Sequence, residues 1–102
     1  MNSGKRQSLL EESAIAAGLA QLVQWTRVSH LIRKTFLFPD FVRAMDFVNS
    51  VALLAEQRNH HPDIEIRWNA VTLTLSTHSA GGLTALDLEL AKAIDDLLTG
   101  SA

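Results

Sequence analysis

Strict alternation of polar and apolar residues marks two neighbouring runs, Asp63-Ile64-Glu65-Ile66-Arg67-Trp68 and Val71-Thr72-Leu73-Thr74-Leu75. A period of two is typical of β-strands with one buried face. Asn69-Ala70 separates the runs and is short enough for a tight turn, so we predict an antiparallel hairpin. Its apolar face, which includes Trp68, should be covered, and its polar face should be solvated. We therefore expect helices on one side of the sheet only.

A long helical pattern precedes the hairpin. Asp40 is a good N-cap, and from Phe41 to Gln57 apolar residues recur at helical spacing. The apolar surface is wider than one sheet face normally covers. This width leaves two interpretations open, a second packing partner such as a neighbouring subunit or a well-buried helix in a compact monomer.

The N-terminal part predicts a flexible tail over residues 1–7 followed by a short helix. Ser8 and Glu11 have the spacing of a capping box, in which each side chain bonds a free backbone N–H of the first turn. The helix should run to about Ala17 and end at Gly18.

Two more strands are predicted before the long helix. The first begins at Trp25, and the second covers residues 30–38 with Ile32 and Phe36 on its apolar face. Lys34 interrupts that face. It would have to reach the sheet edge or extend its ammonium group to solvent.

A final helix follows the hairpin after a turn that we expect to be flexible, residues 79–82. Thr84 and Asp87 form a second capping pattern, and the inner face of the helix carries Leu83, Leu86, Leu90, Ile94 and Leu97. The order helix, two strands, helix, two strands, helix predicts an α+β fold. We expect a four-stranded antiparallel sheet with three helices packed on one face.

Composition restricts the class of protein. A chain of 102 residues is enough for one domain with its own core, which we place at residues 8–102. The lack of cysteine excludes disulfides and thiolate chemistry. The net charge of -2 provides no basic patch for direct nucleic-acid contact, and no run of about 18 apolar residues could span a membrane. We expect a cytoplasmic protein.

Three of the four histidines concentrate where elements end. His60 and His61 follow the long helix, His78 follows the last strand, and His30 is expected to be a solvated surface residue. Pro62 disfavours a helical conformation at His61, so the two adjacent imidazoles should have different settings. Imidazole, with an ordinary pKa of about 6.5, can donate or accept a proton near neutral pH.

The spacing of these residues resembles the signature of the pterin-4a-carbinolamine dehydratases. It comprises Glu56, then His60-His61-Pro62 after three residues, an aromatic residue at Trp68, His78 ten residues later and Asp87 nine beyond. The likeness covers roughly residues 25–95 and extends through Phe36-Leu37-Phe38, Asp40-Phe41, Val51-Ala52 and Ser76-Thr77-His78. The resemblance implies the same α+β fold.

The resemblance also implies an activity, the loss of water from 4a-hydroxytetrahydropterin to give quinonoid dihydropterin. This reaction recycles the tetrahydrobiopterin used by aromatic amino acid hydroxylases and needs no cofactor and no metal. It requires one group that protonates the leaving hydroxyl and another that removes the proton from N5. Carried over to this chain, His61 and His78 are the acid and base, and His60 orients the substrate or stabilises charge.

Five more residues are expected on the substrate side of the site: Glu56, Pro62, Trp68, Thr77 and Asp87. Alternatives remain open for most of them. Glu56, one turn before His60, either holds that imidazole or is solvated. Asp87 either takes part in the site or serves its helix cap alone, and Trp68 belongs either to the core or to a stacking surface. Pro62 would only fix the turn.

Two other classes of function are compatible with parts of the pattern. Three histidines and a carboxylate could form a zinc site, although successive side chains on an extended segment point in opposite directions. Some members of the family serve as dimerisation partners of a homeodomain transcription factor, so a non-catalytic binding module is the alternative function. The family is commonly a homodimer or homotetramer. Ile64 stands where many members carry a second aromatic residue.

Overall fold

The structure, a computed structural model, describes residues 8–99 and confirms the predicted α+β fold. A single antiparallel sheet has the strand order β1-β2-β4-β3. No helix within residues 8–99 is both long and apolar enough to cross a membrane. The predicted tail lies outside the described residues. The elements are α1 (Glu12–Ala20), β1 (Thr26–Val28), β2 (Leu31–Leu37), α2 (Phe41–Arg58), β3 (Asp63–Arg67), β4 (Ala70–Leu75), a 3₁₀ turn (His78–Ala80) and α3 (Ala85–Thr99).

The core lies between the helices and one face of β2 and β4. The alternation in β4 places every second side chain in that core, and β2 contributes in the same way through its even-numbered positions. Burial of each such aliphatic side chain contributes about 1.5–3 kcal/mol. The side chains that are fully inaccessible to solvent include Ile32, Val51, Val71, Leu73, Leu75, Leu90 and Ile94.

Both ends of α2 are formed as helix termini normally are. The Asp40 side chain accepts a hydrogen bond from the backbone N–H of Arg43 at 2.8 Å, which confirms the predicted N-cap. At the other end Asn59 adopts a left-handed conformation with φ of 50°, and its N–H bonds the last carbonyls of the helix. The chain therefore turns sharply at the residue before His60.

The prediction for α1 was wrong at both ends. The helix begins at Glu12, its N-cap Glu11 makes no capping bond through its side chain, and the helix continues through Gly18 to Ala20. A Cβ at position 18 would lie 2.3 Å from Cδ1 of Leu88 in α3. Glycine at this position therefore allows two helices to approach closely and does not end one.

An exposed ion pair links α1 to the sheet. The Arg27 guanidinium in β1 bonds both carboxylate oxygens of Glu12. This hydrogen bond and the attraction of opposite charges hold the pKa of Glu12 below its usual value. Because the pair is exposed, we expect it to orient α1 more than to stabilise the fold.

The hairpin was predicted correctly, but its turn is displaced by one residue. Arg67 pairs with Ala70, so the two-residue turn is Trp68-Asn69, and Trp68 has a φ of 53° and is 68% exposed. Asn69 fixes this arrangement because its side chain donates to the carbonyl of Phe38 while its own carbonyl accepts from the Phe38 N–H, both at 2.9 Å. The expectation of a buried Trp68 was therefore wrong.

Three parts of the predicted apolar surface stay uncovered. The side chains of β3 that face the helices, Ile64 and Ile66, are 38% and 37% exposed because the helices do not extend over this edge strand. At the end of α3, Leu97 is also exposed, whereas Asp87 takes a buried place on the inner face. On α2 the exposed apolar residues are Phe41, Val42 and Leu53.

Lys34 finds a buried partner and does not extend to solvent. Its ammonium group lies 2.9 Å from Oδ1 of Asp95 in α3 and 4.7 Å from the centre of the Phe36 ring. Both charged side chains are only about one-tenth exposed, at 11% and 12%. The indole N–H of Trp25 also donates to the Asp95 carboxylate at 3.1 Å. The positive charge of Lys34 on β2 is thus compensated by the carboxylate of Asp95 on α3.

We expect the replacement Asp95→Ala to destabilise the fold by about 3 kcal/mol, because it leaves the Lys34 ammonium buried without its partner. The matched control is Asp96→Ala, which removes an exposed ion pair with Lys92 on the same helix and should cost about 0.5 kcal/mol or less. Urea unfolding of both variants measures the difference. Equal losses would show that the Lys34 charge does not depend on Asp95.

Candidate active site

The three histidines predicted as a site line one cleft. The end of α2 supplies His60 and His61, and the segment after β4 supplies His78, so elements that are distant in sequence meet at one edge of the sheet. The cleft has a volume of about 250 Å³, and polar side chains dominate it. Its other lining residues are Asn59, Ser76, Thr77 and Ser79.

The left-handed turn at Asn59 gives the two adjacent histidines opposite directions. His60 donates its backbone N–H to the carbonyl of Ala55 at 3.1 Å and turns its ring into the protein, where the residue is only 8% exposed. His61 follows directly before Pro62, which disfavours a helical backbone at that position, and its side chain is 55% exposed. One imidazole is therefore buried and the next is open to solvent.

His78 lies at the start of a short ordered turn. The prediction of a flexible segment over residues 79–82 was wrong, because His78–Ala80 forms a 3₁₀ turn closed by an isolated bridge between Thr77 and Gly82. The N–H of Thr77 donates to the carbonyl of Gly82 at 2.9 Å. These bonds hold the exposed His78 next to the end of β4.

Asp87 forms the buried floor beneath the cleft. Its carboxylate is inaccessible to solvent and accepts three hydrogen bonds, from Nε2 of His60 at 2.6 Å, from the hydroxyl of Thr77 at 2.8 Å and from the backbone N–H of Thr84 at 2.9 Å. Because a carboxylate only accepts, Nε2 of His60 is the donor in this pair. Asp87 therefore caps its helix and fixes a histidine at the same time.

The hydroxyl groups around Asp87 form an ordered chain of donors. Thr77 gives its hydrogen to Asp87, so its oxygen accepts from the hydroxyl of Thr84 at 2.8 Å. The Thr84 oxygen in turn accepts from the backbone N–H of Leu86 at 3.2 Å. Thr77 was expected to bind substrate. In the structure its hydroxyl is buried and donates a hydrogen bond to the carboxylate of Asp87.

Glu56 contacts a different histidine from the one predicted. Its carboxylate accepts from Nε2 of His61 at 2.7 Å, whereas the i, i+4 spacing predicted contact with His60. The reason is the turn at Asn59, which directs His60 to the core and brings His61 back over the exposed face of α2. Each of the two adjacent histidines thus has its own carboxylate.

Some predicted site residues do not reach the cleft. Trp68 lies at the opposite end of β3 from His61, about 23 Å along the chain if each extended residue spans 3.3 Å. Pro62 does not line the cleft, and its role in fixing the turn stays a prediction. Among residues 8–99 there is no group of three or more histidine, cysteine or acidic side chains that could hold a metal ion.

Sequence reasoning missed Asn59, Ser76 and Ser79 as lining residues. Asn59 carried a usable signal, because asparagine directly after a helix is a common left-handed C-cap. The two serines carried none, since serine at a strand end or turn is ordinary. Their place in the cleft depends on tertiary contacts.

Comparison with known proteins identifies the family. Residues 8–97 match the family described as Pterin 4 alpha carbinolamine dehydratase. The chain belongs to this family. A relative from Roseiflexus castenholzii is 53% identical over 91 residues, which cover 89% of this chain and 98% of that protein. One from Sulfurisphaera tokodaii is 49% identical over 90 residues, covering 88% and 97%. Both are provisionally named pterin-4-alpha-carbinolamine dehydratases.

Solved structures agree with the family membership. A Brucella melitensis protein described as a transcriptional coactivator/pterin dehydratase superposes with a TM-score of 0.83 at 36% identity, covering 89% of this chain and 98% of that one. A pterin dehydratase-like protein described as a RuBisCO assembly factor in the alpha-carboxysome has a TM-score of 0.61 at 23% identity, covering 79% and 93%. The second likeness concerns the fold alone.

The two carboxylates that bond histidines should differ in their effect on stability. We expect Asp87→Ala to cost about 3 kcal/mol, since it leaves the buried His60 ring, a hydroxyl and a backbone N–H without an acceptor. Glu56→Ala should change the free energy of unfolding by about 0.5 kcal/mol or less because that carboxylate is exposed. Thermal and urea unfolding check both values, and a neutral Asp87→Ala would contradict its role beneath the cleft.

Proposed function

We propose that this protein is a 4a-hydroxytetrahydropterin dehydratase that acts by histidine acid/base catalysis. In this reaction the C4a–O bond breaks, the hydroxyl leaves as water, N5 loses its proton, and a C4a–N5 double bond forms in the quinonoid dihydropterin. One proton is delivered and one is removed, so no net change of protonation is required. A hydroxylase that uses a tetrahydropterin would supply the substrate.

The observation that carries this proposal is the convergence of three imidazoles on one polar cleft. His61 follows α2 and His78 follows β4, and both line the cleft and are exposed, so each is accessible to a bound molecule and to water. An acid and a base that act on neighbouring atoms of one ring need this arrangement. We assign the acid/base pair to these two residues.

His60 has a different role in the proposal. Its ring is largely buried and is held by Asp87, which restricts its movement. A ring fixed in this way suits the positioning of a substrate or the stabilisation of charge that develops during the reaction. Glu56 supports the reaction indirectly by orienting the ring of His61 through their hydrogen bond.

A non-catalytic binding role is the second candidate. It is favoured by the description of the Brucella melitensis structure as a coactivator and by exposed apolar side chains on α2, namely Phe41, Val42 and Leu53. The two functions are separable by experiment. If the intact protein leaves 4a-hydroxytetrahydropterin dehydration at its uncatalysed rate, the proposed activity is wrong and the binding role gains.

Replacement of His61 by alanine should lower turnover by about a hundredfold or more, the usual scale for losing a general acid or base. The matched control is His30→Ala, because His30 is exposed and does not line the cleft. Dehydration of 4a-hydroxytetrahydropterin followed by absorbance measures both variants. Unchanged turnover in a folded His61→Ala variant would exclude His61 from the acid/base pair.

A further inference from the structure

His78 is held differently from the other two histidines of the cleft. The rings of His60 and His61 each bond a carboxylate, that of Asp87 and that of Glu56. Within residues 8–99 no group forms a hydrogen bond with the ring of His78. The direction of this ring therefore depends on the backbone that carries it, and its use in catalysis depends on what fixes that backbone.

The backbone around this third histidine is a short closed loop, residues 77–82, which we call the histidine turn. Thr77 and Gly82 exchange hydrogen bonds at 2.9 and 3.3 Å, and the N–H of Gly81 donates to the carbonyl of Thr77 at 3.0 Å. The Thr77 end is also anchored from outside, because its hydroxyl donates to the buried carboxylate of Asp87. Gly82 has no side chain, so the other end needs an anchor from another segment.

That anchor is the segment before α1, residues 8–10, which we call the strap. The backbone N–H of Leu10 donates to the carbonyl of Leu83, the residue that follows the histidine turn, at 3.0 Å. Leu9 lies directly against the turn, since a Cβ added to Gly82 would be 3.1 Å from its Cδ2 atom. The lack of a side chain at position 82 thus allows the strap to approach closely.

Separate points of contact hold the strap, and continuous packing does not. A cavity of about 190 Å³ lies among the strap, β1 and the histidine turn, and the Leu9 side chain is 57% exposed. Directly after the strap, the Glu12 carboxylate is fixed to β1 by its ion pair with Arg27. The hydrogen bond from Leu10 to Leu83 therefore joins the strap to the turn across a loosely filled region.

We propose that Leu10 is a positioning residue, because its backbone hydrogen bond to Leu83 fixes one end of the histidine turn and so holds the His78 ring in the cleft. The inference rests on the proposed function, in which His78 is one member of the acid/base pair. A displacement of about 1 Å in the reacting groups can lower turnover by about a hundredfold. Leu10 itself does not line the cleft and acts through the turn.

Proline substitution in and beside the strap tests this role. Leu10→Pro removes the donor, because proline has no backbone N–H. The matched control is Glu11→Pro, which places the same ring at the next position, where the φ of −74° suits proline and the N–H of Leu10 is kept. We expect Leu10→Pro to lower turnover about tenfold and Glu11→Pro to change it by less than about twofold. Equal turnover in the two variants would overturn the positioning role.

Amide hydrogen exchange, followed by NMR, tests the structural step without an enzymatic assay. In Leu10→Pro the amides of Thr77 and Gly82 should exchange about fivefold faster or more, the scale for loss of one hydrogen bond. The amide of His60, which bonds the carbonyl of Ala55, should not change. Unchanged exchange in the turn would overturn the proposal even if turnover falls. If the unchanged protein has no turnover while the turn amides respond as expected, the proposed function is wrong and the strap still holds the turn.

A double-mutant cycle tests whether Leu10 acts through His78. In the His78→Ala background the further change Leu10→Pro should lower turnover by less than about twofold, because the ring that the strap positions is gone. A general structural defect would lower turnover by the same factor in both backgrounds, and that result would overturn the proposal.

A second pair of variants disturbs the same contact from the side of the turn and replaces Leu10→Pro if that variant does not fold. Gly82→Ala places a methyl group 3.1 Å from Cδ2 of Leu9, so it should push the strap away and lower turnover. Adding Leu9→Ala removes the colliding methyl group and should restore turnover. If the double variant is no more active than Gly82→Ala alone, displacement of the strap is not the cause and the positioning role is wrong.

Discussion

The buried carboxylate of Asp87 is the constraint on which the fold and the site both depend. It accepts hydrogen bonds from three separate parts of the chain, the segment after α2, the segment after β4 and the start of α3. A buried carboxylate without donors would be very costly, so these parts must meet for the chain to fold. The floor of the cleft is therefore formed by the same contacts that hold these parts of the fold together.

The two adjacent histidines above that floor differ: His60 is held in place by Asp87, whereas His61 is accessible to solvent. The division depends on the left-handed backbone of Asn59, which sends His60 inward to Asp87 and leaves His61 at the surface with Glu56. Two chemically identical side chains thereby acquire different partners and different access to water. A catalyst that must hold a ring and also exchange protons with it benefits from this division.

Features with a local cause could be predicted from the sequence. Asp40 caps its helix, alternation over residues 63–75 identifies the hairpin, and the histidine spacing identifies the cleft. Contacts between distant segments could not be predicted in this way. Gly18 stays inside a helix because α3 passes close to it, and the partners of the two adjacent histidines depend on the backbone turn at Asn59. The convergence of the three histidines was therefore predictable, whereas the other lining residues and the hydrogen-bond partners of the histidines were not.

The ion pair between Lys34 and Asp95 also decides how α3 is aligned on the sheet. A shift of α3 by one turn would already disturb its apolar packing, because side chains of different volume would exchange places. Here such a shift would move Asp95 by about 5.4 Å and leave two opposite charges separated in a poorly solvated region. The pair thus adds an electrostatic constraint on this alignment to the constraint from the apolar contacts. Since Asp87 lies two turns earlier on the same helix, that alignment also determines where its carboxylate meets His60.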